Sequence, residues 1–240
     1  MSVSARYTAL LDACVLYPAP LRDVLLSLAN KGLYHARWTR DIQDEWVRNL
    51  LANRSDLTRE KLMRTCDMMQ RAVPDSMVAH YETIISGLTL PDPDDRHVLA
   101  GAIVGHADAI ITFNLRDFPE EILVGYNIEP MHPDDFIANQ LELRGIDALA
   151  AIKTLRARLR RPPVLAAQYV DTLERIGLSL TASHLREALE LILSRRPWLP
   201  RHCARQCLGN GGRGRQQAAP VRPRQSAMPR SLLTPQPCLC

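Results

Sequence analysis

Short apolar runs alternate with helical patterns along the first half of the chain, and this alternation limits the possible folds more than any other feature. Residues 8–17, TALLDACVLY, form a mostly continuous apolar run, which is typical of a strand buried on both faces of a parallel sheet. Residues 21–32 then place apolar side chains at helical spacing and end on Gly32, where a helix C-cap is expected. A strand followed by a helix is the first half of a βαβ unit, so we expect an α/β fold.

Further helices and two more strands complete the expected α/β region. Thr39 and Thr58 are suitable N-cap residues, and each precedes a helical apolar pattern. The patterns predict helices at 40–51, 59–73, 78–87 and 96–106, and strands at 109–113 and 127–131. We therefore expect a three-layer α/β/α fold with a central, mainly parallel sheet.

From residue 133 the pattern becomes helical only. Helices are predicted at 133–145, 147–160, 164–177 and 181–194. We interpret residues 1–132 as an α/β domain and residues 133–195 as a small all-α C-terminal domain.

The composition changes abruptly at residue 196. Residues 196–240 hold eight Arg, no Asp or Glu and seven of the 17 prolines, so this tail carries +8 and the rest of the chain −4 of the overall +4. Such a segment cannot bury enough apolar surface to offset its ordering entropy, so we predict a disordered basic tail. The break also resembles a shift of reading frame in a GC-rich gene.

Cysteine usage and hydropathy indicate a reducing compartment away from membranes. Four of the six cysteines lie in the last 38 residues, which leaves Cys14 and Cys66 for the body of the protein. No apolar run approaches the roughly 20 residues that a membrane-spanning helix needs. The N-terminal residues lack the layout of a signal peptide. We expect a cytoplasmic protein without membrane contact.

Asp12 interrupts the first apolar run near the end of the predicted strand. Burying an unpaired carboxylate is costly or forces its protonation, so we expect Asp12 to face the crevice at the strand ends, where such sheets bind ligands. The alternative is that Asp12 only caps the following turn.

Two more acids lie on or beside apolar faces of predicted helices. With about 100° per residue, Glu45 flanks the apolar stripe of helix 40–51 and can reach a cleft beside the core. Asp95 falls at the centre of the apolar stripe that leads into helix 96–106, where a carboxylate needs a partner. His97 falls on the outward face and is expected to be a surface residue.

Polar residues also follow the strand predicted at 109–113. The strand ends in Thr112, and Asn114 and Asp117 come next. Buried or half-buried acids repel one another unless a cation lies among them. Oxygen ligands suit Mg²⁺, with Mn²⁺ as the alternative, whereas zinc would require His or Cys. The reaction that such a site favours is hydrolysis of a phosphodiester by a metal-activated water.

Two other classes of phosphate enzyme do not fit. Phosphatases with an aspartyl nucleophile need a second acid two residues after the first, and here that position is Cys14. The chain also lacks a GxxxxGK[ST] loop, which argues against a P-loop nucleotide enzyme.

Four segments together resemble the PIN-domain ribonucleases. They are LLDACVLYP, DEWVRNL, DPDDRHVLAGAI and IITFNLRDFP, in this order. Each is weak alone, but their order is specific. The downstream helices resemble those of VapC-type toxins with a C-terminal helical extension. The resemblance covers about residues 5–195, and the tail matches nothing in the family.

The resemblance implies a role for each candidate residue. The catalytic acids that would hold the metal correspond to Asp12, Glu45, Asp95 and Asp117. Asn114 matches a position where some members have an acid, which leaves open whether one or two ions bind. Thr112 matches the strand-end hydroxyl of the family, so Thr112 and Asn114 are the expected substrate-binding residues.

The resemblance also implies a function and partners. We expect a Mg²⁺-dependent endoribonuclease that acts as the toxin of a type II toxin–antitoxin system, with RNA as substrate and a cognate antitoxin that occludes the acidic cleft. Dimers are common in the family, so a homodimer is one expected assembly. Because Asn114 replaces an acid, the alternative is a catalytically impaired PIN-like module that binds RNA or a protein.

Overall fold

Five short strands form the sheet of the α/β region. In the computed structural model, which describes residues 7–159 and 164–189, they are β1 (Thr8–Leu11), β2 (His35–Thr39), β3 (Met77–Val78), β4 (Ala109–Ile111) and β5 (Glu129–Met131). The strands pair in parallel in the order β3-β2-β1-β4-β5. The central strand β1 is buried on both faces, as its apolar sequence predicts.

Helices cover both faces of this sheet. They are α1 (Ala13–Leu16), α2 (Ala19–Asn30), α3 (Arg40–Asn53), α4 (Arg59–Ala72), α5 (Glu82–Ile85), α6 (Arg96–Val104) and α7 (Glu120–Leu123), with short 3-10 helices at Pro93–Asp95 and Val124–Tyr126. Both predicted N-caps form: Thr39 Oγ1 accepts from the amide of Ile42 at 3.2 Å, and Thr58 Oγ1 accepts from the amide of Lys61 at 3.4 Å. The expected α/β/α architecture with a parallel sheet is confirmed.

The first apolar run is a strand only as far as Leu11. The Asp12 carboxylate accepts a hydrogen bond from the amide of Ala13 at 2.6 Å and thereby caps α1. The strand predicted at 8–17 is therefore wrong in its second half, because an N-cap aspartate starts a helical turn inside the apolar run.

Two strands lie where the sequence pattern predicts none. In β2, exposed His35 and half-buried Arg37 alternate with buried residues, so this five-residue strand lacks a continuous apolar run. β3 overlaps the helix predicted at 78–87 at Val78, and that predicted helix is helical only over Glu82–Ile85. Pairing with neighbouring strands forms β2 and β3, and local propensity does not reveal it.

The expected helical region follows β5. Its helices are α8 (Pro133–Leu143), α9 (Gly145–Arg158), α10 (Ala166–Arg175) and α11 (Ser179–Glu187). α8 packs against α9 and α11, α10 packs against α11, and α9 packs against α2. The described residues all lie within one compact unit, Met1–Ser194. The domain boundary proposed at residue 132 therefore stays a prediction. The tail at 196–240 and the end of the helix predicted at 181–194 lie outside the described residues.

No helix within residues 7–159 and 164–189 has both the length and the apolar character needed to cross a bilayer.

α6 lies very close to the sheet. A side chain at Gly101 would collide with the methyl group of Thr39, the last residue of β2, so only glycine permits this approach. The approach places the start of α6, where Asp95 lies, beside the carboxyl ends of the central strands.

Candidate active site

The predicted site residues come from four segments that meet at one edge of the sheet. Leu11 of β1 pairs with Ile111 of β4, so Asp12 and Thr112 leave the sheet side by side. β2 leads directly into α3, which carries Glu45. This edge is the carboxyl end of the parallel strands, where α/β sheets bind ligands.

Asp12 is almost fully buried, with three donors around its carboxylate. Oδ1 accepts from the amide of Ala13 at 2.6 Å, and Oδ2 accepts from Thr112 Oγ1 at 2.7 Å and from Cys14 Sγ at 3.1 Å. Burial raises the pKa of Asp12 above its ordinary value, and the hydrogen bonds from Cys14 and Thr112 oppose that rise. Asp12 therefore caps α1, as the alternative reading expects, and it follows directly on β1 at the carboxyl end of the sheet; that it faces a ligand-binding crevice stays a prediction.

Asp95 has a buried carboxylate oxygen without a partner. Among the described residues, no group donates a hydrogen bond to its Oδ2. Burial, then the charges of Asp12 and Asp117, raise the pKa of Asp95 to about 7. Smaller contributions to the same pKa come from Asp92 and Glu45. The four predicted acids therefore lie within one electrostatic neighbourhood.

The chemistry of these four acids suits a hard cation such as Mg²⁺. The four acids offer carboxylate oxygens as metal ligands. No Lys or Arg of the described residues forms an ion pair with Asp12, Asp95 or Asp117. In the same part of the chain, no three His, Cys, Asp or Glu side chains converge in the geometry of a formed metal site. Carboxylates repel one another without a cation, so we expect ion binding to draw them together.

Glu45 has a histidine neighbour. His97 Nε2 lies 3.7 Å from Glu45 Oε2, and the two side chains are only 18% and 24% exposed. Burial lowers the pKa of His97, but hydrogen bonding and the charge of Glu45 outweigh it, so this pKa is raised overall. The expectation that His97 is a surface residue was wrong because α6 is buried on more than one face: residues 98–102 are all buried, and Glu45 of α3 lies beside His97.

Thr112 and Asn114 make contacts within the site. Thr112 is fully buried; its hydroxyl donates to Asp12 and accepts from the amide of Asn114 at 2.9 Å. The amide of Asp117 donates to the carbonyl of Asn114 at 3.1 Å, which forms the next turn. Substrate binding by Thr112 and Asn114 stays a prediction.

Cys14 is a site residue that the sequence reasoning missed. Its thiol contacts Asp12, lies 3.4 Å from Thr112 Oγ1 and accepts from the amide of Phe113 at 3.3 Å. Burial, and then the charge of Asp12, raise the pKa of Cys14 well above its ordinary value, so the thiol is a neutral donor. Its position two residues after Asp12 was the available signal.

Comparison with known proteins gives two family matches and a curated relative. Residues 8–116 match the family described as "PIN domain", and residues 133–187 match the family described as "VapC50 C-terminal domain". "Putative ribonuclease VapC50" from Mycobacterium tuberculosis is 39% identical over 79 residues, which cover 33% of this chain and 47% of the relative. The match thus spans about half of the relative's length. No solved structure matches this chain significantly. The two adjoining matches and the parallel α/β fold show a PIN domain at residues 8–116, followed by a C-terminal domain of the VapC50 type at residues 133–187.

Proposed function

We propose that this protein is a Mg²⁺-dependent endoribonuclease that acts as the toxin of a type II toxin–antitoxin pair. The observation that carries the proposal is the unpartnered, buried Oδ2 of Asp95, a carboxyl group whose pKa is raised by burial and then by the charges of Asp12 and Asp117. Asp12, Asp95 and Asp117 form no ion pair with a Lys or Arg among the described residues, and such a group of acids at the strand ends supports cation binding. The similarity to a protein named as a putative ribonuclease supports RNA as the substrate class.

We assign each site residue a separate role. The cation, Mg²⁺ or Mn²⁺, would be held by Asp12, Glu45, Asp95 and Asp117. When bound, such an ion activates water and neutralises charge that develops on a phosphate. Thr112 and Cys14 fix the direction of the Asp12 carboxylate through the hydrogen bonds that they donate to its Oδ2. Hydrolysis joins the water oxygen to phosphorus and breaks one phosphorus–oxygen bond of the RNA backbone.

The proposed partners follow from the charge of the site. RNA brings phosphates, and the exposed Arg48 and Arg116 flank the segments that carry Glu45 and Asp117. A cognate antitoxin would block the acidic cleft with a basic side chain. We further propose action in the cytoplasm and a homodimer as one assembly.

Cleavage of structured RNA by the purified full-length protein tests the proposal. We expect cleavage with Mg²⁺ or Mn²⁺ and none with EDTA. Asp95→Asn should reduce the rate at least about 100-fold, since the site loses a charged ligand. Asp94→Asn is the matched control, because Asp94 is the exposed neighbour of Asp95 in the same turn. Equal cleavage in EDTA, or full activity of Asp95→Asn, would refute the proposal.

A catalytically impaired module that binds RNA or a protein is the second candidate. Two observations favour it: Asn114 replaces an acid, and the described residues contain no preformed set of three metal ligands. RNA binding that is independent of metal, without cleavage at any Mn²⁺ concentration, would support this candidate over the nuclease.

A further inference from the structure

The loop after β4 is bonded to the acidic site on one side. We call residues 112–114 the strand-end loop. Its Thr112 donates to Asp12, the amide of Asn114 donates to Thr112 at 2.9 Å, and the amide of Phe113 donates to Cys14 Sγ at 3.3 Å. The backbone of the loop and the carboxylate of Asp12 therefore form one hydrogen-bonded unit.

On its other side, the same loop contacts the C-terminal helices through the ring of Phe113. This ring packs edge-to-face against the ring of His132, with centroids 5.2 Å apart and planes at 73°. A Cβ built on Gly177, in the turn between α10 and α11, would lie 3.8 Å from Cε1 of Phe113. The Phe113 ring thus lies near a turn more than 60 positions later in the sequence.

A buried aspartate holds that turn in place. Asp134, on α8, accepts from the amides of Leu180 and Thr181, both at 2.8 Å, and so binds the start of α11. The amide of Asp134 in turn donates to Nδ1 of His132 at 3.2 Å. His132, Asp134 and the start of α11 therefore form a connected seat for the Phe113 ring.

We propose that the C-terminal helices position the metal-binding carboxylate of Asp12 through Phe113. The seat fixes the ring, the ring fixes the strand-end loop, and the loop presents Thr112 to Asp12. Phe113 is a positioning residue here, since it acts on Asp12 through Thr112 and the backbone of the strand-end loop. The inference rests on the proposed function only in treating Asp12 as a metal ligand.

Four variants of the full chain separate positioning from general stability. Phe113→Ala removes the ring, and Phe113→Leu restores part of its volume. Asp134→Ala releases the turn without touching the loop. Ile152→Ala is the matched control, because fully buried Ile152 lies on α9, which packs on α2 and α8. The two readouts are Mn²⁺ affinity by calorimetry without RNA and hydrogen exchange at the amide of Asn114.

We expect Phe113→Ala to weaken Mn²⁺ binding about tenfold, the usual effect of losing a partner that orients a metal ligand. Exchange at the Asn114 amide should accelerate, Asp134→Ala should change both readouts in the same direction, and Phe113→Leu should recover part of each. Ile152→Ala should lower the melting temperature and leave both readouts as in the wild type.

Three outcomes would overturn the inference: wild-type affinity and exchange in Phe113→Ala, wild-type values in Asp134→Ala, or equal changes in Ile152→Ala. The outcome for the nuclease is separate. If the wild-type protein cleaves no RNA while Phe113→Ala still weakens Mn²⁺ binding and accelerates exchange, the proposed function fails and the positioning role stands. If the wild type binds no Mn²⁺, the positioning role is tested by hydrogen exchange at the Asn114 amide alone, compared between the wild type and Phe113→Ala.

Discussion

Thr112 and Asp12, 100 positions apart, share a hydrogen bond of 2.7 Å between Oγ1 and Oδ2. The bond joins the residues that follow β1 and β4, the pair of strands at the centre of the sheet. Both side chains are buried, so water does not compete for the bond, and the direction of the carboxylate is set by the fold itself.

Removing this donor should impair the site more than the fold. Thr112→Val keeps the shape of the side chain but leaves Asp12 Oδ2 and the amide of Asn114 short of one partner. We expect a loss of about 1–3 kcal/mol in the free energy of unfolding. RNA cleavage and Mn²⁺ affinity should fall about 10–100-fold. Thr112→Ser, which restores the hydroxyl, should recover most of both; a Ser variant as impaired as the Val variant would contradict this role.

The raised pKa of Asp95 should make the free energy of unfolding depend on pH when divalent ions are absent. Its pKa in the folded protein is about 7, above the ordinary value of 3.8, so the unfolded chain releases this proton first as pH rises. The contribution of Asp95 to stability therefore falls between about pH 4 and pH 7 and stays low above pH 7. Asp95→Asn should be more stable than the wild type at pH 8 by roughly 2 kcal/mol, once screening of a part-exposed group is allowed for.

Urea unfolding of both proteins at pH 5 and pH 8, in EDTA, measures this difference. The advantage of Asp95→Asn should shrink at pH 5. Mg²⁺ at pH 8 should stabilise the wild type more than the variant, since a bound cation offsets the repulsion among the acids. A pH-independent difference between the two proteins would contradict the electrostatic account.

The sequence predicts the fold class and the candidate acidic residues because each is marked by a strong pattern of apolar and charged side chains. A carboxylate inside an apolar run is costly to bury, so Asp12 and Asp95 were identifiable as residues that need a partner. The parallel sheet follows from apolar strands that alternate with helices. Which of the acids hold an ion stays a prediction.

The elements that the sequence did not predict depend on tertiary contacts. β3 has two residues and exists only through its pairing with β2. His97 was expected at the surface because one apolar stripe was assigned to its helix, but α6 buries residues 98–102 in succession, and Glu45 of α3 lies beside His97. The packing of Phe113 against His132, near the turn at Gly177, joins distant segments, which no local pattern encodes.

His97 should also make the free energy of unfolding depend on pH, through a stabilising contribution instead of the destabilising one of Asp95. Its pKa is raised above the ordinary 6.5 in the folded protein by Glu45, against burial, which lowers it. Its stabilising contribution is complete below pH 6.5 and is lost as pH rises through the folded pKa. His97→Ala should therefore cost more stability at pH 6 than at pH 9 in EDTA. Equal losses of stability at the two pH values would contradict this role of Glu45.

Asp134 should stabilise the C-terminal helices more than its exposed neighbour. Both of its oxygens accept backbone amides at the start of α11, and the residue is only 5% exposed. Asp134→Ala leaves those amides without their partner and removes a negative charge from a helix N-terminus, so we expect a loss of about 2–3 kcal/mol in the free energy of unfolding. Chemical unfolding measures the loss, and exposed Asp135→Ala should stay within about 0.5 kcal/mol of the wild type. Equal stability of the two variants would show that water replaces the carboxylate and that α11 does not depend on it.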